Sequence, residues 1–118
     1  MASHNDLGKK GEDIAIDYLL KKEHAIIARN YRHEKAEVDI ISVHSGTIIF
    51  TEVKTRSTER YGYPEESVGA KKKEMLRLAM DFYLSENHIK EESRFDVISI
   101  VINGSNTEVH HIEDAFYH

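Results

Sequence analysis

Residues 38–54 read VDIISVHSGTIIFTEVK, two apolar runs separated by His44-Ser45-Gly46-Thr47. Ser-Gly between runs rich in β-branched residues is a tight-turn signal, so the stretch reads as a β-hairpin with strands over 38–43 and 47–55. A turn centred on Ser45-Gly46, with two or four loop residues, makes facing positions sum to 91. Asp39 then lies opposite Glu52 and Glu37 opposite Lys54, with all four side chains on one face. Ile41, Ile48 and Phe50 share that face, which is apolar toward the turn and charged at its other end, like the rim of a core.

Opposed residues on neighbouring strands have Cβ atoms about 4.5–5.5 Å apart, and like charges placed there repel. Asp39 and Glu52 therefore call for something positive between them. A divalent metal is the economical answer, because carboxylate and carbonyl oxygens suit Mg²⁺, which takes one or two carboxylates and keeps waters for a phosphate substrate. Lys54, two residues beyond Glu52, would stand beside the bound water, where it could orient or deprotonate it or offset charge on a phosphate. That is the arrangement for metal-assisted phosphodiester hydrolysis. The plainer reading is a solvent-facing sheet surface of alternating polar residues, with Lys54 pairing Glu37.

Outward from the hairpin, Leu7, Gly11, Ile14, Ala15, Tyr18 and Leu19 recur at helical spacing over 5–22, with Asn5 or Asp6 as N-cap. Gly8 and Gly11 each cost such a helix about 1 kcal/mol relative to Ala, so either it starts late or something approaches its backbone closely. HAIIARNYR, 24–32, reads as a strand. STERYGYPEES, 57–67, breaks the pattern, and Pro64 suits the first turn of a second helix. Its apolar stripe of Val68, Met75, Ala79, Phe82 and Tyr83, with Leu76 beside it, runs to about residue 85, and the opposite side carries Lys71, Lys72 and Lys73. RFDVISIVI, 94–102, is apolar at almost every position, as expected of a strand covered on both faces. Asn103-Gly104 gives a turn, TEVHHI a last strand, and EDAFYH a tail or short helical turn. The order predicts an α/β or α+β fold around a mixed sheet.

The 118 residues suit one domain spanning 1–118, with 40% hydrophobic and 31% charged residues, as in an ordinary folded chain. No cysteine is present, which excludes disulfides and thiolate zinc sites and makes the cytoplasm the default compartment. No apolar run reaches the length of a membrane span, so no membrane partner is expected. A net charge of −5 argues against coating nucleic acid through overall charge. Only residues 54–77 lean basic, with seven Lys or Arg against four Glu.

Asp39 on one strand, Glu52-Val53-Lys54 across a hairpin, and Glu12 on a preceding helix together resemble the PD-(D/E)xK nuclease superfamily. More narrowly, GKKGEDIAIDYL, ARNYR, EVDII, FTEVKTR, YGYPEESV, RFDV and HIEDAF, in that order, are similar to the YraN-like bacterial family. The resemblance implies a restriction-endonuclease-like αβββαβ core. It implies Asp39 and Glu52 as metal ligands with the Val53 carbonyl as a further one, Mg²⁺ or Mn²⁺ as cofactor, Lys54 as the catalytic lysine, and Glu12 as an additional acid. The proline that names the superfamily motif is absent, Val38 standing before Asp39.

Lys71, Lys72, Lys73 and Arg77 would lie where a nucleic-acid backbone could be held, giving positioning without sequence readout; as a bare helix face they would simply be solvated. Arg56 could meet phosphate or pair with an acid. Arg94 and Asp96 share a strand face and read as a structural ion pair. His110 and His111 point to opposite faces by strand alternation. Tyr61 and Tyr63 read as loop anchors, with base stacking as the alternative. The expectation is a small metal-dependent nuclease acting on DNA, branched or structured forms included. The alternative is a non-catalytic nucleic-acid-binding or protein-interaction module on the same fold. A third reading is a two-fold dimer in which a second protomer completes the DNA surface.

Overall fold

A computed structural model describes residues 4–57 and 69–117 of the protein. The hairpin forms in the expected register. Ser45 and Gly46 both take positive φ, 51° and 78°, as the two central residues of a type I′ turn do. From that turn β2 (Ala36–His44) and β3 (Thr47–Arg56) pair antiparallel, His44 with Thr47 through Ile40 with Thr51.

Around the hairpin lie α1 (His4–Lys21), β1 (Ala25–His33), α2 (Ala70–Glu86), β4 (Ser93–Asn103), β5 (Asn106–Ile112) and a 3₁₀ turn (Ala115–Tyr117). The first helix thus begins ahead of the anticipated caps, and Asp6 lies inside its first turn, where an acid favours the helix dipole. The five strands form one sheet in the order β1-β2-β3-β4-β5. Only β3 and β4 run parallel, and α2 supplies the long crossover that a parallel pair requires. The fold is α+β with a mixed sheet, and α1-β1-β2-β3-α2-β4 reproduces the αβββαβ order of the restriction-endonuclease-like core.

Two apolar clusters clamp the sheet. On one face Ala15 and Leu19 of α1 pack on Ile40, Ile98, Ile100 and Ile102. On the other, Leu76, Ala79 and Met80 of α2 cover Val38, Ile41, Ile48, Phe50, Phe95 and Val97. β4 is buried at every position from 95 to 102, which is why its sequence lacks alternation. The buried stripe of α2 differs from the anticipated one at one step: Met80 faces the core, whereas Phe82 is 43% exposed and stacks on His33. Val68, Pro64, Tyr61 and Tyr63 lie outside the described residues. No helix among the described residues is long and apolar enough to cross a membrane.

His24 closes the turn end of the sheet. Its side chain is buried, its Nδ1 lies 2.9 Å from the Ser42 hydroxyl, and its ring stacks on His44. Burial lowers its pKa to about 4, helped by the neighbouring His44, His111 and Arg94 and opposed by Asp96. A base whose folded pKa is depressed contributes stability above its unfolded pKa, near 6.5, and that contribution is lost as pH falls toward 4. In denaturant titrations wild type should therefore lose about 1 kcal/mol between pH 7 and pH 5 relative to His24→Asn, which keeps a polar partner for Ser42.

Candidate functional site at the fork of β2 and β3

The β2–β3 ladder stops at Ile40 and Thr51, although both strands continue. Beyond that point β2 pairs only with β1, through Val38, Glu37 and Ala36, and β3 pairs only with β4, from Glu52 to Arg56. The hairpin splits into a fork. Side-chain phase records the split, because Val38 packs on the α2 side and Ile40, two residues on, packs under α1. Strict alternation would put both on one face. Opposite this shift on β1, Asn30 takes a left-handed φ of 52°.

Asp39 stands in the mouth of the fork. The Val53 N–H donates to its Oδ2 at 2.8 Å, so a carboxylate replaces the strand that would otherwise cap that amide. Glu52 and Lys54 follow Phe50 on the α2 face. Glu52 is 6% exposed, with Oε1 2.5 Å from the Lys72 ammonium. Its Oε2 is buried without a hydrogen bond, and Lys54 Nζ lies 4.0 Å from it. Expected to share one face with these residues, Glu37 instead pairs with Arg32 across β1 at 2.9 Å. The four charged side chains thus do not form one flat row, because the pairing that would align them ends one residue too soon.

Burial is the chief cause that raises the Asp39 carboxyl, to about 7; the Val53 N–H counteracts it, while the charges of Glu12, Glu52 and Glu37 add to it. Glu12 acts at a distance. Its own Oε1 accepts from Asn30 Nδ2 at 3.2 Å and lies 3.8 Å from Arg29. Gly11 allows this approach: a Cβ there would sit 1.8 Å from Thr55 Oγ1, so only glycine lets α1 rest on β3 beside the site. Gly8 meets nothing comparable. Asp39 is bonded to the Val53 amide, and Glu52 presents one oxygen without a hydrogen bond. Among the described residues no cluster of three or more His, Cys, Asp or Glu side chains converges as a metal set.

The basic residues separate. Arg56 ends β3 and is partly buried, Lys71 is exposed, and Lys73 is partly covered. Lys72, anticipated on the far side of α2, reaches the sheet and pairs with Glu52. Three consecutive helical residues span about 200°, so one side could not hold all three. Arg77 lies over the Phe116 ring at 4.9 Å, against the C-terminal turn.

Arg94 and Asp96 form the expected ion pair. Burial would raise the Asp96 carboxyl, yet donors from His111 at 2.7 Å, Arg94 at 2.9 and 3.2 Å and the Asp114 N–H at 3.0 Å outweigh it and hold the carboxyl below its ordinary range. His111 also meets the Tyr18 hydroxyl of α1, while His110, the next residue, pairs in register with Ser99. Asn30, Arg29 and the Lys72 contact are the parts of the site that residue patterns did not signal; the irregular backbone at Asn30 leaves no trace in spacing.

Because the folded Asp39 carboxyl holds its proton more tightly than the unfolded one, the Asp39 contribution to stability should fall as pH rises from about 3.8 to about 7. Asp39→Asn keeps an acceptor for the Val53 N–H and removes the charge. It should be more stable than wild type by about 2 kcal/mol at pH 8, discounting for partial exposure, with the gain shrinking below pH 7 and absent below pH 4. Urea titrations at several pH values measure this. Gly11→Ala should cost about 2 kcal/mol or more in the same assay, since Thr55 backs onto the sheet and cannot yield cheaply, whereas Gly8→Ala should be neutral or slightly stabilising.

The sequence matches a protein family and many of its members. The model of the family described as "Uncharacterised protein family UPF0102" matches residues 11–100, which include Glu12, the whole fork and α2. A UPF0102 protein of Christiangramia forsetii is 48% identical over 118 residues, covering 100% of this chain and 99% of its own. A UPF0102 protein of Flavobacterium psychrophilum is 41% identical over 118 residues, covering 100% and 99%. One of Persephonella marina is 43% identical over 110 residues, covering 92% and 91%. The chain belongs to the UPF0102 family, the YraN-like family its motifs resembled.

Proposed function

We propose that the protein is a metal-dependent nuclease that hydrolyses phosphodiester bonds of DNA, with branched or structured DNA among its substrates. The observation that carries this reading is the fork: a buried Glu52 oxygen without a hydrogen bond, beside an Asp39 carboxyl whose charge is disfavoured by burial and by its acidic neighbours. Both are groups that a divalent cation would satisfy. The donors are hard oxygens, and two carboxylates with a carbonyl fit Mg²⁺ or Mn²⁺, which retain waters in such sites. When bound, the cation would supply Lewis acidity toward a phosphoryl oxygen and a water of lowered pKa.

The chain's own residues do the rest. Asp39 and Glu52 would hold the cation, with Val53 presenting its N–H to Asp39 and its carbonyl as a further ligand. Lys54, on the same face as Glu52, would orient the attacking water and offset charge developing on the phosphate. Glu12 tunes Asp39 through space from α1. Arg56, Lys71 and Lys73 would hold the nucleic-acid backbone without reading sequence. The competing reading, a non-catalytic binding module, is favoured by the net charge of −5 and by the absence of a third converging carboxylate among the described residues.

The deciding experiment incubates purified protein with Mg²⁺ or Mn²⁺ and single-stranded, duplex, flapped and four-way DNA. Cleavage is expected on at least one substrate, lost on chelation and reduced about 100-fold or more in Asp39→Ala and Lys54→Ala. No cleavage of any substrate, or cleavage indifferent to both substitutions, favours the binding module.

A further inference from the structure

The first turn of α2 is built against the usual rules for a helix start. Its N-cap is Gly69 with no side-chain cap, no acid stands in its first turn, and Lys71, Lys72 and Lys73 follow in succession. Cations at a helix N-terminus are opposed by the helix dipole, and uncapped amides forgo about 1 kcal/mol. Such a local conflict calls for a compensating gain elsewhere. The gain is visible in one contact: Lys72 Nζ lies 2.5 Å from Glu52 Oε1, the carboxylate that is only 8% exposed, while the lysine itself is 48% exposed.

Glu52 needs a positive partner, because a buried carboxylate left alone is costly. Lys54 Nζ, at 4.0 Å from Oε2, is too far for a hydrogen bond, so Lys72 makes the direct contact. A divalent cation on Glu52 would bring two further positive charges within ion-pair range of that ammonium. A cation that takes Oε1 as well as Oε2 would compete with that ammonium directly and repel it. Lys72 has the means to leave, since its flexible stem comes from an exposed helical turn and its ammonium is readily hydrated.

We infer that Lys72 is the internal counter-ion of Glu52 in the metal-free protein, a positioning residue that holds the carboxylate ready and competes with the metal for it. The inference rests on the metal-binding reading proposed above. Lys72 thereby sets the metal affinity of the site: it holds Glu52 oriented when no cation is bound, and it is displaced when one binds. A purely structural lysine would act the other way, since its removal would disorder Glu52 and weaken metal binding.

Calorimetric titration of Mn²⁺ into wild type, Lys72→Met and Lys72→Arg, without nucleic acid, tests this. Lys72→Met should bind Mn²⁺ about tenfold more tightly, as expected for removal of one charged hydrogen bond from the free state, and Lys72→Arg should stay near wild type. In parallel, amine acylation of wild-type protein followed by mass spectrometry should show Lys72 reacting several-fold faster with Mn²⁺ present. This second measurement decides the matter should Lys72→Met fail to fold. Wild-type binding of Mn²⁺ with a Lys72→Met variant no tighter, or with a Lys72 amine whose reactivity ignores Mn²⁺, overturns the inference and leaves the metal site standing. Absence of Mn²⁺ binding to wild type and variant alike removes the metal site itself, and the inference with it.

Discussion

The site depends on one hydrogen bond, from the Val53 amide to the Asp39 carboxylate. Two strands that pair from a tight turn ordinarily continue to pair until one ends, because each unpaired buried amide is costly. Here β2 and β3 separate while both still have partners on their outer sides, and a side chain supplies the acceptor that the departing strand takes away. Across the separation Val38 and Ile40 break strict alternation. Glu52, still paired with Val97 of β4, turns its side chain to Lys72 of α2.

Two aspartates in the same sheet, Asp96 buried and Asp39 half-buried, show how differently one residue type can be used. Asp96 receives donors from His111, Arg94 and the Asp114 amide, and these overcome the penalty of burial. It binds β4 to the C-terminal turn and, through His111 and Tyr18, to α1. Asp39 has one amide donor and three acidic neighbours, so its charge stays unfavourable. The first is a fastening, complete in itself. The second is incomplete, one donor set against three acidic neighbours.

Much of this was readable from residues, and the reason is local. Turn chemistry at Ser45-Gly46 fixes the register, and register fixes which of Glu52, Val53 and Lys54 share a face. The continuous apolar run of β4 announces its burial. What escaped the sequence depends on contacts remote along the chain. Hairpin spacing alone puts Glu37 opposite Lys54, but beyond Ile40 the pairing of β2 is with β1, where Glu37 meets Arg32. Phe82 outranks Met80 in hydrophobicity, yet the pitch of α2 on the sheet buries Met80. The Lys72 contact could not be read because it joins a helix to a strand whose relative placement no spacing rule defines. Glu12 and the Val53 carbonyl entered only through family resemblance.

The two-residue turn at Ser45-Gly46 acts as a ruler for the side chains at the far end of the hairpin. Side chains on a strand alternate with a period of two, so gaining or losing a single residue in that turn would slide β3 by one position and carry Glu52 and Lys54 to the α1 side. The change would leave every charged residue in the sequence and still dismantle the arrangement. Length at this turn is therefore under a parity constraint. Tolerance of insertions here is governed by oddness or evenness rather than by size, a restriction that identity at the acidic and basic positions alone would not reveal.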